Sequence, residues 1–133
     1  MVNKLKLYLS GSISGRSLDE ARIQFNEAHN TLEALSYKVY NPLELVNNIA
    51  HFHTLDKNEQ WTKAMREDIR VLKDCDILIS LPHKGIESKG AEIEEMVAMK
   101  YGIPIVHYDI LKQCKFNINK ALSKEEQETL IIR

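Results

Sequence analysis

The sequence predicts an α/β fold: a single doubly wound, Rossmann-like or flavodoxin-like parallel sheet of about four to five strands flanked by helices. Three observations carry that prediction. Short strand-like runs recur at residues 4–9, 37–40, 76–81 and 103–107, and each interval between them holds a helical apolar stripe. The run 76–81 is nearly continuous in apolar residues, with Ile77, Leu78, Ile79 and Leu81, as expected of a strand buried on both faces. Glycine-bearing loops follow the first and third runs, at the sheet edge where ligands sit in such folds.

The first strand is read from Leu5, Leu7 and Leu9 alternating with Lys4, Lys6 and Tyr8. It ends in the loop Ser10, Gly11, Ser12, Ile13, Ser14, Gly15, Arg16, whose amides and hydroxyls suit phosphate or sugar oxygens, although a plain tight turn accounts for the same residues. The spacing is neither the dinucleotide glycine fingerprint nor the Walker phosphate loop. Ser17 with Glu20 forms a capping box for a helix whose stripe is Ala21, Phe25, Ala28, Leu32 and Leu35. The second strand, 37–40, stops at Asn41-Pro42. From 43 to 58 the periodicity dissolves; His51 and His53 find no third ligand at sensible spacing, so a surface loop, lid or binding loop is expected.

A second amphipathic helix follows, with Trp61, Met65, Ile69 and Leu72 on its stripe, Asp68 inside that stripe, and Arg66, Glu67 and Arg70 facing out. After the third strand, a loop with Gly85, Ser88 and Gly90 opens a helix. At roughly 100° per residue, Ala91, Glu94, Ala98 and Tyr101 share one stripe bordered by Val97, while Glu92 and Glu95 point away. Gly102 closes this helix, and 103–107 is the fourth strand, prolonged by Val106, Tyr108 and Ile110. Phe116 and Ile118 dock the tail, and Ser123 with Glu126 caps a final helix carrying Leu130 and Ile131.

Composition narrows the function classes. The chain has 133 residues and a formal charge of -1, which suggests one domain spanning 1–133 and argues against a nucleic-acid binder, which needs a basic face. Cys75 and Cys114 make neither a disulfide framework nor a metal motif, and Cys75 reads as a small buried residue. Nothing resembles a signal peptide, and no apolar run approaches the ~20 residues that span a bilayer, so a cytoplasmic protein without membrane partner is expected. Nothing in the sequence calls for a cofactor or metal.

The strongest chemical signal is a pair of carboxylates on inward helix faces, Glu94 and Asp68. An inward carboxylate is costly unless partnered or used, so each is either a capped structural group or part of a site. Two of them on helices flanking one strand point to a site. Glycosidic cleavage passes through an oxocarbenium-like state that a carboxylate stabilises or traps, and two carboxyl groups about 5 Å apart suit the retaining route.

At three motifs the sequence resembles the nucleoside 2-deoxyribosyltransferase superfamily, particularly the small branch containing deoxynucleoside 5′-monophosphate N-glycosidases. Tyr8-Leu9-Ser10-Gly11-Ser12-Ile13-Ser14-Gly15 is similar to that family's first-strand loop. Arg66-Glu67-Asp68 followed by Asp74-Cys75-Asp76 is similar to its helix-to-strand segment, and Ser88-Lys89-Gly90-Ala91-Glu92-Ile93-Glu94 to its nucleophile motif. The resemblance, which runs from Lys6 to about Val106, implies that Glu94 is a nucleophile and Asp68 its partner. It implies a substrate site of Tyr8, Gly11, Ser12, Ile13, Ser14, Gly15, Ser88 and Gly90; the family's loop has an arginine where this chain has Ser14, and Arg16 is close enough to replace it as a phosphate's charge partner. It also implies a nucleoside or nucleotide as the small-molecule partner, and a homo-oligomer. A catalytically silent nucleotide-binding module with the same pocket, and a structural α/β subunit, are the competing readings.

Overall fold

The computed structural model describes residues 4–13, 15–82 and 88–132. Among them four parallel strands form one sheet in the order β2-β1-β3-β4: β1 (Lys6–Ser10), β2 (Lys38–Tyr40), β3 (Ile77–Ser80) and β4 (Ile105–His107). The α/β class and the parallel sheet agree with the sequence reading.

Period-two alternation sorts the central strands between two layers. Leu7 and Leu9 of β1, with Ile77 and Ile79 around β3 and Val106 of β4, face α1 (Leu18–Ala34), where Phe25, Ala28 and Leu32 meet them. Leu111 of α5 (Tyr108–Gln113), with Ile118 and Ala121 of α6 (Ile118–Ile132), completes that layer. On the opposite face Tyr8 and Leu78 pack with Leu72 of α3 (Lys57–Leu72) and Ala98 of α4 (Lys89–Lys100). The chain leaves β1 in one direction to β2, then returns past β1 to β3. That reversal makes the carboxyl ends of β1 and β3 the switch point of the sheet.

Several boundaries differ from the sequence reading. Residues 108–110 do not prolong β4: they start α5, because Ile110 and Leu111 are both buried in one apolar layer, which a helix turn achieves and an alternating strand does not. The last helix starts at Ile118. Asn117 Oδ1 accepts from Lys120 N at 3.0 Å, so Asn117 does the capping expected of Ser123, which lies inside the helix. The 43–58 stretch is more ordered than its pattern suggests. Asn41 caps α2 (Pro42–Leu45) by accepting from Leu43 N at 3.0 Å, with Pro42 at the first helical position, and two short 3-10 turns follow. Trp61, 41 % exposed, and Tyr101, 58 % exposed, stand outside the stripes assigned to them, and Gly85 lies outside the described residues.

The strand-to-loop corner after β1 depends on Gly11. A Cβ there would stand 3.1 Å from Phe25 Cζ and 3.2 Å from Leu81 Cβ, and both neighbours are fully buried. Gly11→Ala is expected to cost about 1–3 kcal/mol through overpacking. Thermal melting checks this, and an unchanged Tm would mean that the corner has slack.

Candidate active site

The site begins with two side chains on one strand. Because β1 alternates, Tyr8 and Ser10 project together toward α3 and α4 while Leu9 enters the opposite layer. Helix α4 starts at Ser88, whose hydroxyl accepts from Ala91 N at 3.2 Å as an N-cap. From that start, Ala91, Glu94 and Ala98 fall on the sheet side, and Glu94 is only 4 % exposed.

Both oxygens of Glu94 are held from β1. Tyr8 Oη donates to Oε2, and Ser10 Oγ donates to Oε1 at 3.0 Å. Asp68 reaches the same centre from α3, at 6 % exposure. The Asp68 Oδ1 oxygen is buried without a protein partner. Gly90 lets the helices close on each other, since a Cβ there would stand 3.3 Å from Met65 Sδ of α3.

The loop after β1 adds polar atoms that the protein leaves unmatched. Ser12 is fully buried and its Oγ has no protein partner, and Arg16 Nε is buried and unpaired. Gln24 Nε2 donates to Pro82 O at 2.8 Å and ties α1 to the loop beyond β3. Ile13 packs against the α1-side core, and Gly15 takes a left-handed φ of 82°.

Comparison with known proteins places this geometry. Residues 5–107 match the family described as a domain of unknown function, DUF4406. The chain belongs to the DUF4406 family. No match was found among curated proteins. Among solved structures, a 2-deoxyribosyltransferase from the psychrotolerant bacterium Bacillus psychrosaccharolyticus is similar, with a TM-score of 0.59 and 19 % identity. The match covers 77 % of this chain and 70 % of that one, and at such identity the likeness is one of fold.

Within this DUF4406 domain, the sequence-derived residues separate into groups. Tyr8, Asp68 and Glu94 come together as one buried centre. Gly11, Ser12, Ile13, Gly15 and Arg16 belong to the loop that leaves β1 after Ser10, and Ser14 lies outside the described residues. Ser88 and Gly90 have local tasks, the one capping α4 and the other sitting close to Met65.

Three residues depart from the reading. Glu95 does not point away: it accepts from Ser80 Oγ at 3.2 Å and, with Ser80, Leu81, Pro82, His107 and Asp109, lines a cleft of about 350 Å³ at the ends of β3 and β4. A helix lying on a sheet turns two adjacent positions toward it, so the residue after Glu94 still reaches β3. Glu67 is likewise half-buried and accepts from Arg70 Nε at 2.8 Å. Ser10, expected in the loop, is the last residue of β1 and donates to Glu94; its i, i+2 relation to Tyr8 is the signal in the sequence. Among the described residues, no group of three His, Cys, Asp or Glu side chains is arranged to hold a metal, and no helix is long and apolar enough to cross a membrane.

Burial governs the electrostatics. Desolvation, then the charges of Glu94 and Glu67, push Asp68 up to about 8, against a hydrogen bond with Tyr8 that pulls it down. Desolvation also pushes Glu94 up to about 7, opposed by the donors Tyr8 and Ser10 and assisted by the charge of Glu95. Desolvation first, then the Glu94 and Asp68 charges, hold the Tyr8 phenol well above its ordinary value, so it remains a donor. The Glu94 charge contributes to the raised value of Asp68, so the protonation of the two carboxyls is linked. Two neighbouring carboxyls with raised values can in principle supply an anion and an acid near neutral pH.

The same shifts set a pH dependence of stability. Both folded values lie above the ordinary 3.8 of Asp68 and 4.5 of Glu94. Between those values and about 7 to 8 the native state binds more protons than the unfolded state, so stability is fullest at the acid end and falls as pH rises through this window. Asp68→Asn and Glu94→Gln should each flatten that fall by an amount on the order of a few kcal/mol. Urea unfolding across the window measures it, and parallel curves for parent and variants would contradict it.

Proposed function

We propose that this chain cleaves or exchanges the N-glycosidic bond of a 2′-deoxynucleoside or its 5′-monophosphate, with Glu94 as nucleophile. The observation that carries the reading is the buried Glu94 carboxylate, held on both oxygens and lying near the raised acid Asp68 at the switch point of the sheet. A sheet and helix arrangement similar to that of a 2-deoxyribosyltransferase supports the same chemistry. The motif resemblance around Tyr8, Asp68 and Glu94 points the same way.

In this reading ionised Glu94 attacks C1′ of the sugar. A carboxyl oxygen–C1′ bond forms as the C1′–nitrogen bond breaks, and the electron pair leaves with the base, which takes a proton. Each Glu94 oxygen accepts one protein donor and keeps a further lone pair for attack. Asp68, protonated near neutral pH, orients the sugar or passes the proton, directly or through water. Water or a second base then attacks C1′ and releases Glu94, which separates a hydrolase from a transferase.

The loop of Gly11, Ser12, Ile13, Ser14, Gly15 and Arg16 takes the 5′ end of the substrate. The unmatched Ser12 Oγ and Arg16 Nε support an anion there, and the backbone of Ser88 and Gly90 at the start of α4 supplies further amides. The partner is thus a small nucleoside or nucleotide. A homo-oligomer is part of the same reading, supported by the outward Met96 and Met99 of α4 and by Trp61 of α3.

Free-base release from a panel of deoxynucleosides and their monophosphates, with and without an acceptor base, tests the proposal. Glu94→Gln keeps shape and removes the attacking charge, so turnover should fall by about three or more powers of ten while the fold persists. Glu92→Gln, exposed on the same helix, should retain activity. Tight binding without release by the parent would favour a silent nucleotide-binding module, and equal rates in the two variants would remove Glu94 as nucleophile.

A further inference from the structure

Two serines occupy paired positions on neighbouring strands, Ser10 on β1 and Ser80 on β3. Each donates to one of two successive glutamates of α4: Ser10 Oγ to Glu94 Oε1 at 3.0 Å, and Ser80 Oγ to Glu95 Oε1 at 3.2 Å. The glycosidic reading assigns work to Glu94 but none to Ser10. We propose that Ser10 is a positioning residue whose buried hydroxyl, acting with Tyr8 on the other oxygen, fixes the plane of the Glu94 carboxylate and favours its charged form. The inference rests on Glu94 being the reacting group.

The last torsion of a glutamate is broad, so a carboxylate held through one oxygen can swing. Donors on both oxygens, projecting from positions two apart on one strand, leave a single orientation. Ser10 is 1 % exposed, which keeps bulk water from replacing its donor. Finally, the titratable groups acting on this centre are all acids: Tyr8 from β1, Asp68 and Glu67 from α3, Cys75 ahead of β3 and Glu95 on α4. Neutral donors therefore oppose burial and the Glu95 charge, since hydrogen bonds to an ion favour it. The Ser10 bond goes to Glu94, so its loss acts on that carboxyl directly.

The experiment titrates the full chain carrying carbon-13 in its glutamate carboxyls, with the Glu94 resonance assigned by its loss in Glu94→Gln. Ser10→Ala should raise the Glu94 midpoint by about one pH unit, the size expected for losing a hydrogen bond to a charged group. The acidic limb of base release should move the same way, Ser10→Thr should restore both, and Ser80→Ala should leave the Glu94 midpoint in place. Should the alanine variant not fold, Ser10→Cys keeps the volume, weakens donation and carries the same expected direction. An unmoved midpoint, an equal shift in the alanine and threonine variants, or an equal shift from Ser80→Ala overturns the proposal. The resonance reports without turnover: a shifted midpoint in a parent that releases no base defeats the glycosidic reading and reduces Ser10 to an electrostatic partner of a silent carboxylate.

Discussion

Burial of the Glu94 carboxyl between sheet and helix is the constraint from which the rest of the site follows. An unpartnered carboxylate in that position costs several kcal/mol, and the fold offsets the cost by donors and by protonation. Tyr8 and Ser10 supply the donors, which requires β1 to present exactly those alternate residues to the α3 and α4 layer. Ser88 caps the first turn of α4, from which Glu94 faces them, and a Cβ at Gly90 would stand 3.3 Å from Met65 Sδ of α3. Asp68 then joins the centre from α3, where burial and the neighbouring Glu94 and Glu67 charges favour its protonated form.

The reversal of direction in the sheet places this centre at a ligand-binding edge. The loops after β1 and β3 both leave at the carboxyl ends of adjacent strands, and α1 packs on one face of the sheet with α3 and α4 on the other. Gly11 allows β1 to turn tightly against Phe25 and Leu81, and Gln24 ties α1 to Pro82. Packing holds Gly11 against Leu81, and a hydrogen bond holds α1 to Pro82, at the ends of the two strands.

The two faces of the sheet carry different burdens. The layer beneath α1, α5 and α6 is built mainly of aliphatic and aromatic side chains, whose burial stabilises the fold. The opposite layer interleaves Leu72, Leu78 and Ala98 with Tyr8, Asp68 and Glu94. Buried acids there weaken the native state at neutral pH, a cost that is common where a site needs perturbed protonation. The Ser80 and Glu95 pair extends polar packing along α4 toward the cleft beside His107.

Local patterns in the sequence determined the α/β class, the parallel sheet, the positions of the strands and the inward faces of Asp68 and Glu94, because period and burial are written into neighbouring residues. They were silent where two periods coincide: Val106, Tyr108 and Ile110 alternate like a strand, yet Ile110 and Leu111 bury together in a helix. They also gave Glu95 to solvent, since a helical wheel records angle but not the breadth of the surface it meets. The donors to Glu94 lie 84 and 86 residues from it, and their pairing exists only once β1 and α4 are packed. Which atoms hold the carboxylate, and so how its proton is shared, was therefore decided by tertiary structure alone.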